Sequence, residues 1–382
     1  MSAGTQAPPG LEGLVVAQTS LSSVDGTNGV LTYRGYNMHD LGEMTDFEEI
    51  TYLLWYGVLP NQSQLDGFRE QLNSQRTVSD AVLATMAALP RGGAPIDALK
   101  AGVTALSMED TDQDNLSEES LLEKGARTMA AMPTILAAYA RLREGKEPLA
   151  PKPDLDTAAN FLYMVHGNVP SQTASDAFDT YLVLLAEHSM NASTFTARST
   201  ISSSTDYYSA ITSGLGSLKG TAHGGANMMA MKMLLDIGKA DNIENYIDES
   251  LQIKRRLMGM GHRIYKTRDP RVDPLMHWSE KVAEEIGDST WYELARRMDE
   301  LTKTHPYFEE RKLYPNVEFY SAPLLYNLGF APDLMPAIFG LSRIAGWTAN
   351  IIEQMRNNRL VRPMAEYVGP ELQEFVPIGE RG

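Results

Sequence analysis

The sequence predicts a mainly helical protein of two units, with one short piece of β structure near its start. Three observations lead there. Apolar residues recur at helical spacing in one segment after another along the 382 residues. Only VLTYRGYNM, at residues 30–38, has the β-branched and aromatic content of a short strand or hairpin. The chain is also too long for one average core, so two domains, or one large and one small, are expected.

The elements can be justified in order. Residues before Val30 are rich in Gly, Ser, Thr and Pro and carry no periodic signal. Thr45 and Asp46 can cap a helix bearing Ile50, Leu53 and Leu54, with Pro60 as its stop and Asn61 or Ser63 as the next start. The acidic residues 109–123 read as a solvated loop and the first turn of a helix running to Arg143, with Pro133 as a kink or break. Phe178, Leu182, Leu185 and Ala186 mark a helix within residues 175–199, followed by the small polar run NASTFTARSTISSS. Further helices are expected over 243–258 and over 336–356, the last with a stripe at Phe339, Ile344, Trp347 and Ile351.

Composition narrows the functional classes. Hydrophobic residues make up 43% and charged residues 21%, ordinary globular usage with material for a large core. The absence of cysteine excludes disulfides, thiolate zinc sites and cysteine nucleophiles. No HExxH, GxGxxG, Walker A or GxSxG pattern occurs, so no metal is expected. The net charge of −16 disfavours nucleic acid and anionic membranes as partners. It also suits adaptation to high salt, where screening suppresses self-repulsion. The opening MSAGTQAPPGLEG has neither a basic segment nor an apolar run, and no stretch reaches membrane-spanning length, so a cytoplasmic protein is expected.

Chemistry concentrates in two glycine-rich turns. His223 stands in GTAHGGAN and His262 in GMGHRIYKTRDPR, where glycines let backbone amides approach a ligand closely and the imidazoles can donate or exchange protons. His223 is expected to open a helix, whose dipole would keep it neutral and make it a hydrogen-bond donor to an oxyanion. Glu318, in PNVEF, is the candidate base. Arg343 sits in the apolar helix MPAIFGLSRIAGW with no acidic residue three or four positions away, so it must meet an anion from elsewhere. With Arg271 in DPR and Arg362 in LVRP, it points to a small di- or tricarboxylate, because guanidinium matches carboxylate bidentately. His188 lies near a helix end, and Met258 lines either the core or an apolar slot.

These motifs, in this order, resemble the citrate synthase family. The resemblance runs from LTYRGYNMHDL and LLWYGVLP through FLYMVHGNVP, EHSMNASTFTAR, GTAHGGAN, GMGHRIYKTRDPR and KLYPNVEFYSA to SRIAGWTANIIEQ and RLVRP. It implies an all-α homodimer of a large domain (residues 1–221 and 331–382) and a smaller mobile domain (222–330), closing over acetyl-CoA and oxaloacetate with no cofactor. The tricarboxylic acid cycle reaction is implied with it. By resemblance, His223 bonds the thioester carbonyl, His262 donates to the oxaloacetate carbonyl, and Glu318 removes the methyl proton. His188, His262, Arg271 and Arg343 bind oxaloacetate, and Arg362 reaches in from the partner subunit. Lys266 and Lys312, with Met258, Gly259 and Gly261, meet coenzyme A.

Three positions depart from the family pattern. Glu318 stands for an aspartate, Ala322 for a glycine and Asn350 for a histidine. Ala322 is compatible only with a backbone φ below zero. Two further readings stand beside citrate formation: a 2-methylcitrate synthase taking propionyl-CoA, and a catalytically weakened acyl-CoA-binding paralogue in which the longer Glu318 misplaces the base.

Overall fold

The computed structural model describes residues 8–381, leaving 1–7 and Gly382 outside the description. It is mainly helical, with seventeen α-helices among the described residues. The first ten are α1 (Met38–Met44), α2 (Phe47–Tyr56), α3 (Gln62–Ser74), α4 (Asp80–Ala88), α5 (Pro95–Ser107), α6 (Glu118–Arg143), α7 (Thr157–His166), α8 (Gln172–Leu185), α9 (Ala192–Ile201) and α10 (Tyr207–Leu218). The rest are α11 (Gly225–Ile237), α12 (Ile243–Gln252), α13 (Val272–Ile286), α14 (Thr290–Thr304), α15 (Pro306–Arg311), α16 (Val317–Asn327) and α17 (Met335–Arg356).

The core is organised by α6 and α17. Residues Met335–Ile352 of α17 are buried on every side, as expected of a helix apolar all round, and pack against α2, α6, α8, α9 and α10. Pro133 does not break α6 as the sequence suggested. Its ring removes one backbone hydrogen bond, but every residue from Thr128 to Ala140 is buried against neighbouring helices, and this burial offsets the loss. Asp46 caps α2 through Glu49 N, and the helix closes on left-handed Gly57, before Pro60. Asn61 and Gln64 form a capping box that starts α3. The helix expected over 243–258 stops at Gln252, because Lys254 turns left-handed and Arg255 N bonds back to Ser250 O. Ala322 is buried within α16 and has helical backbone, so the added Cβ costs no backbone strain.

The expected hairpin has a third strand. β1 (Ser22–Asp25), β2 (Val30–Tyr33) and β3 (Tyr36–Asn37) form an antiparallel sheet in sequential order. β2 and β3 join through Arg34 and Gly35, both at positive φ, the geometry of a tight two-residue hairpin turn. β1, with the sequence SSVD, carries little β propensity of its own. Its turn is set instead by Asp25, whose carboxylate accepts from Thr27 N and Asn28 N.

This sheet positions two loops. At its base, the Tyr33 hydroxyl donates to Glu187 O at 2.8 Å and accepts from Glu187 N at 3.0 Å, clamping the segment that ends α8. At its tip, Gly26 O accepts from Lys266 N at 2.8 Å. Replacing Tyr33 with Phe strands both backbone groups of a buried residue, so we expect a loss of about 2 kcal/mol of stability, measurable as a lower denaturant midpoint at unchanged slope.

Candidate active site

His262 and Glu318 are held by one asparagine. Met260 and Pro315 form an antiparallel bridge, and Gly261 N donates to Tyr314 O at 2.7 Å. Asn316 then completes the join. Its N–H donates to Gly259 O at 2.9 Å, its amide donates to Gly261 O at 2.8 Å, and its Oδ1 accepts from Glu318 N as the N-cap of α16. Gly259 and Gly261 have φ of +78° and +80°, and a Cβ on Gly259 would stand 3.1 Å from Phe319 Cα. Only glycine fits this pairing.

The two histidines are set in opposite tautomers. His262 Nδ1 accepts from Ile264 N and Tyr265 N at 3.1 and 3.2 Å, so in the neutral ring the proton is on Nε2. His223 Nε2 accepts from Ser193 N at 3.3 Å and lies 2.8 Å from Ser193 Oγ, which places its proton on Nδ1. Each ring therefore keeps one N–H for a ligand. Burial, reinforced by Arg343, lowers His223 to about 3, and burial, with Arg271 next, lowers His262 to about 4. The neutrality expected of His223 holds, but burial dominates it. His223 precedes α11 by two residues, and the helix dipole is not among the main causes.

The remaining groups converge on the same space. His188 is buried, bonds the Tyr265 hydroxyl through Nε2 at 3.0 Å, and has its ring 5.4 Å from that of His262. Arg271 is fully buried and already holds Asp269 through Nε and one terminal nitrogen, at 2.9 and 2.7 Å. Burial opposes its charge, yet Asp269 raises its pKa above the ordinary arginine value. Arg343 donates to Leu185 O at 2.6 Å and lies 4.8 Å from the Phe339 ring centre, while its Nη1 is buried without a partner. Burial depresses its pKa to about 10. An unpaired guanidinium nitrogen beside three uncharged imidazoles is a ready seat for a carboxylate. Burial raises Glu318 above the usual glutamate value, with Arg271 and Arg343 opposing.

Other expected residues lie at the margin. Lys266 and Lys312 are exposed on either side of the glycine turn, and Met258 is half-buried against the core. A cavity of about 360 Å³ opens beside the glycine turn, lined by Arg255, Arg256, Met260, Gly261, His262 and Arg263. Its arginines were not singled out from the sequence, although the run KRR at residues 254–256 in so acidic a chain was a usable signal. Arg362 is exposed in the extended segment after α17, away from these groups within its own chain. Ser193, Tyr265, Asp269 and Asn316 were also missed, each lying inside a motif whose histidine, arginine or glutamate drew the attention.

Comparison with known proteins agrees with this architecture. The family model "Citrate synthase, C-terminal domain" matches residues 10–364. Citrate synthase 2 of Bacillus subtilis is 42% identical, covering 97% of this chain and 98% of its own length. Citrate synthase of Haloferax volcanii is 42% identical over the same shares. 2-Methylcitrate synthase 1 of Corynebacterium glutamicum is 38% identical over 99% of each chain. Among solved structures, citrate synthase from Pyrobaculum aerophilum superposes with a TM-score of 0.91 at 35% identity, covering 97% and 95% of the two chains. Citrate synthase from Thermoplasma acidophilum, in a ternary complex with carboxymethyl coenzyme A and oxaloacetate, also reaches 0.91, at 32% identity over 97% and 98%.

The class is thus an all-α acyltransferase. More particularly, the chain belongs to the citrate synthase family. With both rings neutral and each held by backbone donors, the imidazole signals of His223 and His262 should stay fixed in NMR spectra between pH 5 and 9, titrating only near the lowered values of about 3 and 4. A midpoint near pH 6.5 for either would refute its depression by burial.

Proposed function

We propose that the protein condenses acetyl-CoA, oxaloacetate and water into citrate and coenzyme A. The observation that carries this is the pair of oppositely set imidazoles, each with one free N–H, which share the field of buried Arg343 with the raised carboxyl of Glu318. Glu318 takes a methyl proton from the thioester while His223 Nδ1–H bonds the thioester oxygen, so the enolate charge meets a donor already in place. The enol carbon attacks the keto carbon of oxaloacetate, whose oxygen receives the His262 Nε2 hydrogen bond. Arg343, Arg271 and His188 hold the diacid. Water then hydrolyses citryl-CoA, releasing the thiol.

The larger assembly belongs to the same reading. Residues 222–330 act as a smaller mobile domain over residues 1–221 and 331–382, and closure keeps the base from water until both substrates are seated. Lys266, Lys312 and the arginine-lined cavity receive the anionic part of coenzyme A, which is a co-substrate, so no resident cofactor is needed. The protein works as a homodimer in the cytoplasm. Exposed Leu360, Met364, Tyr367, Val368, Leu372 and Phe375 beside Arg362 suit burial against a second copy, which brings that arginine to the partner's site. No helix among the described residues is long and apolar enough to cross a membrane.

The propionyl reading is kept by the similarity to 2-methylcitrate synthases. One methyl group in an apolar slot changes preference by only about 1–3 kcal/mol, so sequence similarity of this degree does not decide it. Thiol release with oxaloacetate plus acetyl-CoA, compared with propionyl-CoA, tests both. We expect higher kcat/KM for acetyl-CoA; a propionyl preference overturns the choice of acyl group, and release with neither overturns the enzyme reading in favour of a binding paralogue. Glu318→Gln should lower kcat by about 10²–10⁴-fold with Glu318→Asp retaining activity, and near-full turnover by the Gln variant would exclude Glu318 as the base.

A further inference from the structure

Among the buried carboxylates that the condensation chemistry leaves unused, one adjoins a histidine of the site. Glu187 immediately precedes His188 and is only 1% exposed. Its Oε1 accepts from the Ser22 hydroxyl of β1 and its Oε2 from the Asn350 amide of α17, each at 3.0 Å. A Cβ on Gly346 of α17 would stand 2.4 Å from Oε2, so this position leaves the carboxylate just enough room. Tyr33 fixes its backbone on both sides. No hydrogen bond or ion pair joins Glu187 to Arg343, yet it supplies the largest opposing charge that Arg343 feels.

We propose that Glu187 acts through the charge of Arg343: it is the resident counter-charge of that guanidinium, and it takes up a proton when the diacid's carboxylate replaces it in that role. The inference rests on oxaloacetate binding at this site. Arg343 is oriented without help from Glu187, by Leu185 O and the face of Phe339, and its free Nη1 remains for the ligand. An incoming carboxylate therefore leaves two anions sharing one buried cation, since Arg271 is already matched by Asp269. Two like charges in a site of low dielectric raise each other's pKa, and the protein's own carboxylate is the one with somewhere to put a proton.

The local bonding accommodates that proton. Ser22 Oγ accepts from Ser189 N at 2.9 Å while donating to Glu187, and a serine hydroxyl can rotate to accept from a protonated carboxyl instead. The titratable and charged groups facing Glu187 are Tyr33 from β2, Arg343 and Glu353 from α17, Arg198 from α9 through Asn350, and neighbouring His188. Burial, relieved in part by Arg343, already lifts Glu187 to about 7, so it changes charge within the working range, whereas His188 and His262 are held neutral there.

Sequence departs from the family pattern at one of these partners. Asn350, where the family has histidine, donates to Glu187 and accepts from Arg198 at 3.1 Å, so it transmits no charge of its own to the pair. Glu187→Gln is nearly isosteric: its carbonyl can accept from Asn350 and its amide can donate to Ser22 Oγ. Ionised Glu187 offsets Arg343 and weakens anion binding; below pH 7 the group is protonated and this opposition disappears.

Calorimetric titration of the full-length protein with oxaloacetate alone, at pH 6 and pH 8, tests the proposal. The wild type should bind about tenfold more weakly at pH 8 than Glu187→Gln, with the two within about twofold at pH 6, since a one-unit pKa difference is tenfold in binding. At pH 7.5, runs in buffers of different ionisation heat should show proton uptake in the wild type that Glu187→Gln lacks, and Glu187→Asp should restore the pH dependence. Equal pH dependence in wild type and Gln variant, or weaker binding by the Gln variant at both pH values, overturns it. If neither form binds oxaloacetate, the functional reading has failed; the proposal is then judged on the free proteins, where the wild type must take up one more proton than Glu187→Gln between pH 8.5 and 5.5.

Discussion

Asn316 bonds Gly259, Gly261 and Glu318 at once, and through it two segments more than fifty residues apart in sequence act as one rigid piece. Removing its side chain would leave Gly261 O without a donor and Glu318 N without a cap, both in half-buried or buried surroundings. Geometry at the site follows from this. The backbones at His262 and Glu318 are placed by this pairing, and the His262 ring is fixed further by Ile264 N and Tyr265 N. Catalysis beside a carbonyl tolerates misplacement on the order of an ångström poorly, so such bracing suits a site whose proposed base, Glu318, is one methylene longer than the aspartate of the family pattern.

Electrostatics at the site is arranged by burial more than by pairing. The three imidazoles cluster near two buried arginines and are all held below their ordinary pKa. Such a cationic pocket lined by neutral donors suits the dianion proposed as its ligand. Arg271 and Arg343 contribute differently. Arg271 arrives with its own carboxylate, whereas Arg343 retains an unpaired nitrogen and sits against an aromatic face.

Much of this was legible in the sequence. Helical periodicity and cap signals located α2, α3, α6, α8, α12 and α17, fewer than half of the seventeen helices, and Arg343 was recognisable because a lone guanidinium in an apolar helix needs an anion. Glycine-flanked histidines were equally plain, since few structural roles demand that pattern. What escaped the sequence was set by contacts across long separations. Asn316 and Ser193 act by backbone hydrogen bonds that no spacing rule reports, and β1 forms only because the strand beside it exists. The continuity of α6 through Pro133 and the early end of α12 are tertiary and local-turn effects that outweigh periodicity.

The three-stranded sheet near the N-terminus touches both histidine loops, Tyr33 at the Glu187–His188 end and Gly26 at the Lys266 end. It therefore acts as a ruler between His188 and His262. Surface turns ordinarily absorb insertions at little cost. Here two extra residues in a strand would lengthen the ruler by about 6.6 Å. That exceeds the whole 5.4 Å separation of the two rings. Length changes in this small sheet are thus opposed by the spacing of the two histidine loops rather than by the sheet's own stability.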